Sequence, residues 1–75
     1  MKISTSKDLG NYIRAIRKSQ SLTIDEVASA CGVGNRFLSE LERGKATCQI
    51  GKFLTILAVL GIEIDLHTKA GENKV

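Results

Sequence analysis

A mainly α domain of four helices followed by one β-strand is what the 75-residue sequence predicts. Two observations lead there. Four consecutive segments carry apolar residues at helical spacing, each bounded by a capping residue or a glycine, and after Gly61 the apolar period changes from 3.6 to 2. A third bounds the answer: the chain is a single domain, near the lower size limit for a core that folds without help, so some added source of stability is expected. No proline, internal repeat or low-complexity run divides it, apart from a polar tail, "AGENKV". The expected layout is a core over about 7–60, a strand over about 62–68 and a loose tail over 70–75, with Met1 to Ser4 also loose.

The first helix is expected from about Lys7 to Ser19, where "SKDLGNYIRAIRKSQS" places Leu9, Ile13 and Ile16 on one face. Ser6 is a candidate N-cap, and Asp8 lies near the positive end of the helix dipole. In "SLTIDEVASACG", Thr23 followed three residues later by Glu26 forms a capping box, and Val27, Ala28 and Cys31 face inward until Gly32 ends the second helix. The third runs from about Asn35 to Arg43, with Leu38 and Leu41 inward and Gly44 as its stop. The fourth, "TCQIGKFLTILAVLG", has Thr47 as expected N-cap and Ile50, Phe53, Leu54, Leu57 and Leu60 as expected core residues. It is the most apolar element and the expected centre of the core.

Beyond Gly61, "IEIDLHT" alternates Ile62, Ile64 and Leu66 with Glu63, Asp65 and His67, the pattern of a half-buried strand. A lone strand leaves a row of backbone groups unpaired, and no second strand pattern exists in the chain. The expected partner is the same strand of a second copy, which makes the protein a homodimer with Ile62, Ile64 and Leu66 as its dimerisation row.

Composition narrows the chemistry. Eleven Lys and Arg against eight Asp and Glu give a net charge of +3, a mild lean towards polyanions. Two cysteines, Cys31 and Cys48, without further pairs or a histidine cluster suggest neither a disulfide scaffold nor a zinc site; they are expected to be reduced, partly buried small hydrophobes. No apolar run approaches a membrane span, and Met1 to Gly10 lacks the apolar stretch of a signal peptide. A soluble, cytoplasmic protein is expected. The single histidine, His67, has no nucleophile placed to work with it, so no active site, cofactor or metal is expected.

Two short helices joined by a glycine-containing turn form a helix-turn-helix unit, whose second helix enters the DNA major groove. The whole run "SLTIDEVASACGVGNRFLSELERGK" resembles the Xre-type family of phage repressors and bacterial regulators, over roughly Leu9 to Leu60. That resemblance implies a lambda-repressor-like four-helix domain that binds double-stranded DNA as a transcriptional repressor. By matching position it makes Gly34, Asn35, Arg36 and Phe37, with Glu40 one turn on, the residues that read base edges. Their chemistry suits that role, because Arg contacts guanine in bidentate fashion, Asn does so with adenine, Glu accepts from cytosine, and an aromatic edge packs on a thymine methyl. Phe37 has an alternative use as a lid on the core.

Arg43 and Lys45, at the end of that helix and in the loop after it, fall where this fold follows the phosphate backbone, a positioning role rather than a specifying one. Lys52 is a further phosphate candidate or an ordinary solvated lysine. Relatives often carry Gln where this chain has Ile24, a side chain that usually touches a phosphate. Here the backbone amides of the helix start and the Thr23 hydroxyl are left for that contact. Arg17 and Glu42 match an Arg and a Glu that pair in similar repressors and are read as an architectural ion pair.

The long fourth helix followed by "LGIEIDL" further resembles the HipB-type antitoxins, whose C-terminal strands pair across the dimer axis. Such proteins bind operators of their own operon and hold a HipA-type Ser/Thr kinase toxin. The resemblance thus implies an antitoxin acting on an inverted-repeat operator, with that kinase as partner. Two alternatives stay open: a stand-alone phage-type or restriction-modification controller with no toxin, and a protein-interaction module that no longer touches DNA.

Overall fold

The structure, a computed structural model, describes residues 2–46, 49–66 and 68. Among these residues four helices follow in order: α1, Ser6–Ser19; α2, Ile24–Cys31; α3, Asn35–Glu42; and α4, Ile50–Leu60. α1 packs on α3 and more lightly on α4, while α2 lies against both α3 and α4. Among the described residues no helix is long and apolar enough to cross a membrane.

The N-cap of α1 is Thr5, not Ser6. The Thr5 hydroxyl accepts from the Asp8 amide at 3.0 Å, and the Asp8 carboxylate accepts from the Ser4 amide at 3.2 Å, so the two side chains close the helix start reciprocally. Ser6 is thereby the first helical residue, and its hydroxyl donates instead to the Gly44 carbonyl at 2.8 Å, tying the start of α1 to the turn after α3. The Thr23–Glu26 capping box opens α2, with bonds of 2.8 and 3.1 Å. α2 closes through Gly32 in the left-handed region, with the Val33 amide donating back to the Ala28 carbonyl at 3.0 Å.

α3 stops at Glu42, one residue before the expected end, and Arg43 is its C-cap. Gly44 turns the chain at φ +89°, a value an L side chain strains to adopt, and a Cβ there would stand 2.7 Å from the Lys7 Cα. Glycine is required at this corner twice over. For α4 the cap position is Gln49, which makes no side-chain capping bond; Thr47, the expected cap, lies outside the described residues.

The core consists of Ile13, Val27, Ala28, Leu38, Leu41, Phe53, Ile56, Leu57 and Leu60, with Leu9, Ile16, Leu22, Ile24, Cys31, Val33, Phe37 and Ile62 packed against it. Burial of the Cys31 thiol raises its pKa above the ordinary range. Two expected core residues of α4 lie outside: Ile50 is 65% exposed and Leu54 49%. α4 is apolar on nearly every side, so helical spacing fits two stripes, and the packed one runs through Phe53, Ile56, Leu57 and Leu60.

Beyond α4, the Ile62 amide donates to the Leu57 carbonyl at 2.8 Å, and its half-buried side chain completes the hydrophobic contact of a helix C-cap. Ile64 is 50% exposed and Leu66 71%. Among the described residues 62–66 and 68 there is no β-ladder. His67 lies outside the described residues, as do Cys48 and the polar tail.

Candidate nucleic-acid interface

α2, the turn at 32–34 and α3 form the candidate surface, and packing decides what it shows. Leu38, Leu41 and Glu42 point α3 inward. Gly34, Asn35 and Arg36 are thereby left exposed at its start, with Arg43 and Lys45 exposed at its far end. Gly34 is the N-cap and offers no side-chain acceptor, so no side chain closes over the first-turn amides of α3.

One buried ion pair holds this helix in place. The Arg17 guanidinium on α1 donates through Nε to Glu42 Oε2 at 2.7 Å and through Nη2 to Oε1 at 2.9 Å, while Nη1 donates to the Leu22 carbonyl at 2.7 Å. Arg17 is 7% exposed and Glu42 5%. The Glu42 hydrogen bond raises the Arg17 pKa above its ordinary value, against the opposing effect of burial, so the guanidinium stays charged. Both carboxylate oxygens have partners, and among the described residues no buried side-chain nitrogen or oxygen lacks one. Breaking such a pair from one side strands a buried charge at a cost of ~3–5 kcal/mol. The pair ties α1 to the end of α3 and so adds to the packing that fixes α3 against the body.

On the outer face the polar side chains are linked to one another. Arg36 is almost fully exposed, and its Nε lies 3.5 Å from Glu40 Oε2, one turn on. The other oxygen of Glu40 accepts from Lys45 Nζ at 3.2 Å. These contacts, the Lys45 hydrogen bond foremost, hold the Glu40 carboxyl below the ordinary carboxylate range. Glu40 therefore stands between two cations rather than projecting alone. Phe37 is half-buried against the core, and the exposed Lys52 places its ammonium 5.5 Å from the centre of the Phe37 ring, within cation–π range. Lys52 of α4 is thus drawn to the same side as α3.

Thr23 stays exposed at the start of α2; its hydroxyl oxygen accepts from the Glu26 amide, which does not consume its own hydrogen. The neighbour that sequence reading passes over is Asp25. Its Oδ1 accepts from Asn35 Nδ2 at 3.2 Å, a side-chain bond across the helix-turn-helix corner. Ten residues separate the two, and no local spacing rule announces them. The relative placement of α2 and α3 does.

Comparison with known proteins gives a consistent result. The HTH_3 (Helix-turn-helix) family matches residues 13–67. The chain is 49% identical over 73 residues to the "Uncharacterized HTH-type transcriptional regulator y4mF" of Sinorhizobium fredii (strain NBRC 101917 / NGR234), covering 97% of this chain and 96% of that protein. Among solved structures, the fold is shared with that titled "HipB-O4 20mer complex" at a TM-score of 0.83 and 23% identity, over 92% of this chain and 97% of that one. "Crystal structure of the clp gene regulator ClgR from C. glutamicum" superposes with a TM-score of 0.70 at 29% identity, over 83% and 80%. A family match over most of the chain, and a relative that aligns with nearly all of it, establish that this chain belongs to the Xre-type helix-turn-helix family of DNA-binding transcriptional regulators.

Proposed function

We propose that this chain is a dimeric repressor that reads an inverted-repeat operator with the start of α3 and serves as the antitoxin of a HipA-type Ser/Thr kinase toxin. The observation that carries the DNA part is the pairing of an exposed Asn35 and Arg36 at the start of α3 with a buried Arg17–Glu42 anchor at its end. A helix anchored in this way presents its reading groups from a fixed backbone, so the ordering cost on binding falls on the side chains alone. Gly34, Asn35 and Arg36 approach base edges, with Phe37 and Glu40 at the margin of the reading set. Thr23, Arg43, Lys45 and Lys52 face the phosphates, and Ile62, Ile64 and Leu66 contribute to a dimer strand. The antitoxin part is supported by the shared fold with HipB, one structure of which is titled "Structure of HipA-HipB-O2-O3 complex".

Gel-shift titrations at two salt concentrations test the DNA reading. Asn35→Ala and Arg36→Ala are expected to weaken binding to the cognate operator far more than to random duplex, by ~1–3 kcal/mol for each lost base contact. Lys45→Ala is expected to weaken both duplexes about equally and to reduce the salt slope by about one. Equal losses on both duplexes for Arg36→Ala would remove it from the reading set.

A second reading, a stand-alone regulator with the same DNA chemistry and no toxin, is favoured by the likeness to the clp gene regulator, whose identity to this chain exceeds that of HipB. A kinase-like reading frame beside the gene, and co-purification of its product, separates the two.

A further inference from the structure

The Asp25–Asn35 bond joins a residue with no role so far to one proposed to read a base. Asp25 is the second residue of α2 and exposed; Asn35 is the first residue of α3 and exposed; their side chains meet at 3.2 Å. A carboxylate only accepts, so the amide nitrogen of Asn35 must face it and the amide oxygen must face away. An amide nitrogen carries two hydrogens. The one beside the oxygen completes the donor–acceptor edge that matches adenine N7 and N6; the other points back along the side chain and is available to Asp25. A donor–acceptor edge fixed in this sense fits adenine. Presenting both hydrogens outward, the same side chain fits the paired acceptors of guanine; turned over, its oxygen can instead accept from the amino group of cytosine.

We infer that Asp25 is a specificity-determining positioning residue, which orients the Asn35 amide so that it selects adenine at one operator position. This rests on Asn35 being a base reader, as proposed above. In free solution the bond is exposed and weakly held. Against DNA, where water is displaced, a hydrogen bond to an ionised group strengthens, so the restraint acts when the base is read. The carboxylate does not act as an attractive contact to the duplex: beside a phosphate backbone its charge lowers affinity. Its effect is on the choice of base, and the two effects have opposite signs on removal.

A randomised duplex library bound by the wild type, Asn35→Ala, Asp25→Ala and Asp25→Asn, with the bound fraction sequenced, tests the inference. Asn35→Ala identifies the position that Asn35 reads. Asp25→Ala is expected to lose adenine preference at that position alone, on the order of tenfold, while binding to random duplex holds or rises. Asp25→Asn removes the charge and sets a donor beside the acceptor, so it no longer forces one sense on the Asn35 amide; it should weaken the adenine preference, less than Asp25→Ala does, and gain affinity for every duplex. A merely structural role of Asp25 in opening α2 would instead change all positions together. An Asp25→Ala profile identical to wild type, beside an altered Asn35→Ala profile, overturns this inference and leaves the base-reading proposal intact. No change at any position for Asn35→Ala overturns the proposal beneath it, and this inference with it.

Discussion

Gly10 lies inside α1, where a glycine normally costs ~1 kcal/mol relative to alanine. Here the sign is reversed by what faces it. A Cβ at Gly10 would stand 2.7 Å from the Glu42 carbonyl oxygen and closer still to that of Leu41, backbone that cannot step aside. Gly10→Ala is therefore expected to destabilise the domain by ~1–3 kcal/mol, the usual cost of overpacking, and thermal denaturation should register a lower Tm. A higher Tm would mean that α1 and α3 separate more easily than their geometry implies. Glu40 makes a different prediction at the same scale. Its folded pKa is depressed, chiefly by Lys45, so the contribution of its network is present above the ordinary carboxylate pKa and is lost as pH falls through the lower folded value. The dependence of Tm on pH across that acid window should be shallower in Glu40→Gln than in the wild type. Identical slopes would place the acid sensitivity in other carboxylates.

At the scale of elements, the segment after α4 has two parts with different physics. Ile62 belongs to the end of α4, where its amide caps Leu57 and its side chain rests on the core. Ile64 and Leu66, exposed and two apart, are the part that a second copy would cover, since an apolar row on one strand is stable only when another strand completes the ladder. Deletion from Ile64 onward leaves the cap in place and is expected to give monomers with poor operator binding; Ile64→Lys should do the same by placing a charge in the shared layer. Light scattering at micromolar concentration reads the outcome. A truncated chain that remains fully dimeric would move the interface to α4, where Ile50 and Leu54 leave an exposed apolar stripe.

The whole molecule sets the spacing of what it reads. A two-fold dimer presents two α3 helices related by one axis, about one turn of DNA or ~34 Å apart, so the operator is expected to be an inverted repeat with half-sites at that separation. Footprinting decides it: protection of a single unsymmetrical half-site would defeat the dimer as the DNA-binding unit. In such a dimer the buried Arg17–Glu42 pair would matter at this scale too, because two helices can reach successive grooves only if each stands at a fixed angle to its own body.

Local signals in the sequence were enough for the four helices and for the Thr23–Glu26 box, since capping and helical period act over three or four residues. They also sufficed for the family, whose motif is a contiguous run. They did not suffice where neighbouring residues compete for one role. Thr5 rather than Ser6 caps α1 because the reciprocal bond with Asp8 needs that spacing, and Ser6 is drawn off by a carbonyl 38 residues away. Nor could period choose a stripe on α4, apolar on nearly every side; the packing of α2 and α1 against it buries Ile56 and leaves Ile50 and Leu54 out. The closeness of Gly10 to α3 and of Asp25 to Asn35 depends on the angles between helices, which no local pattern records. What the residues decide by themselves is which elements form; how those elements lie against one another decides which side chains stand together at the surface.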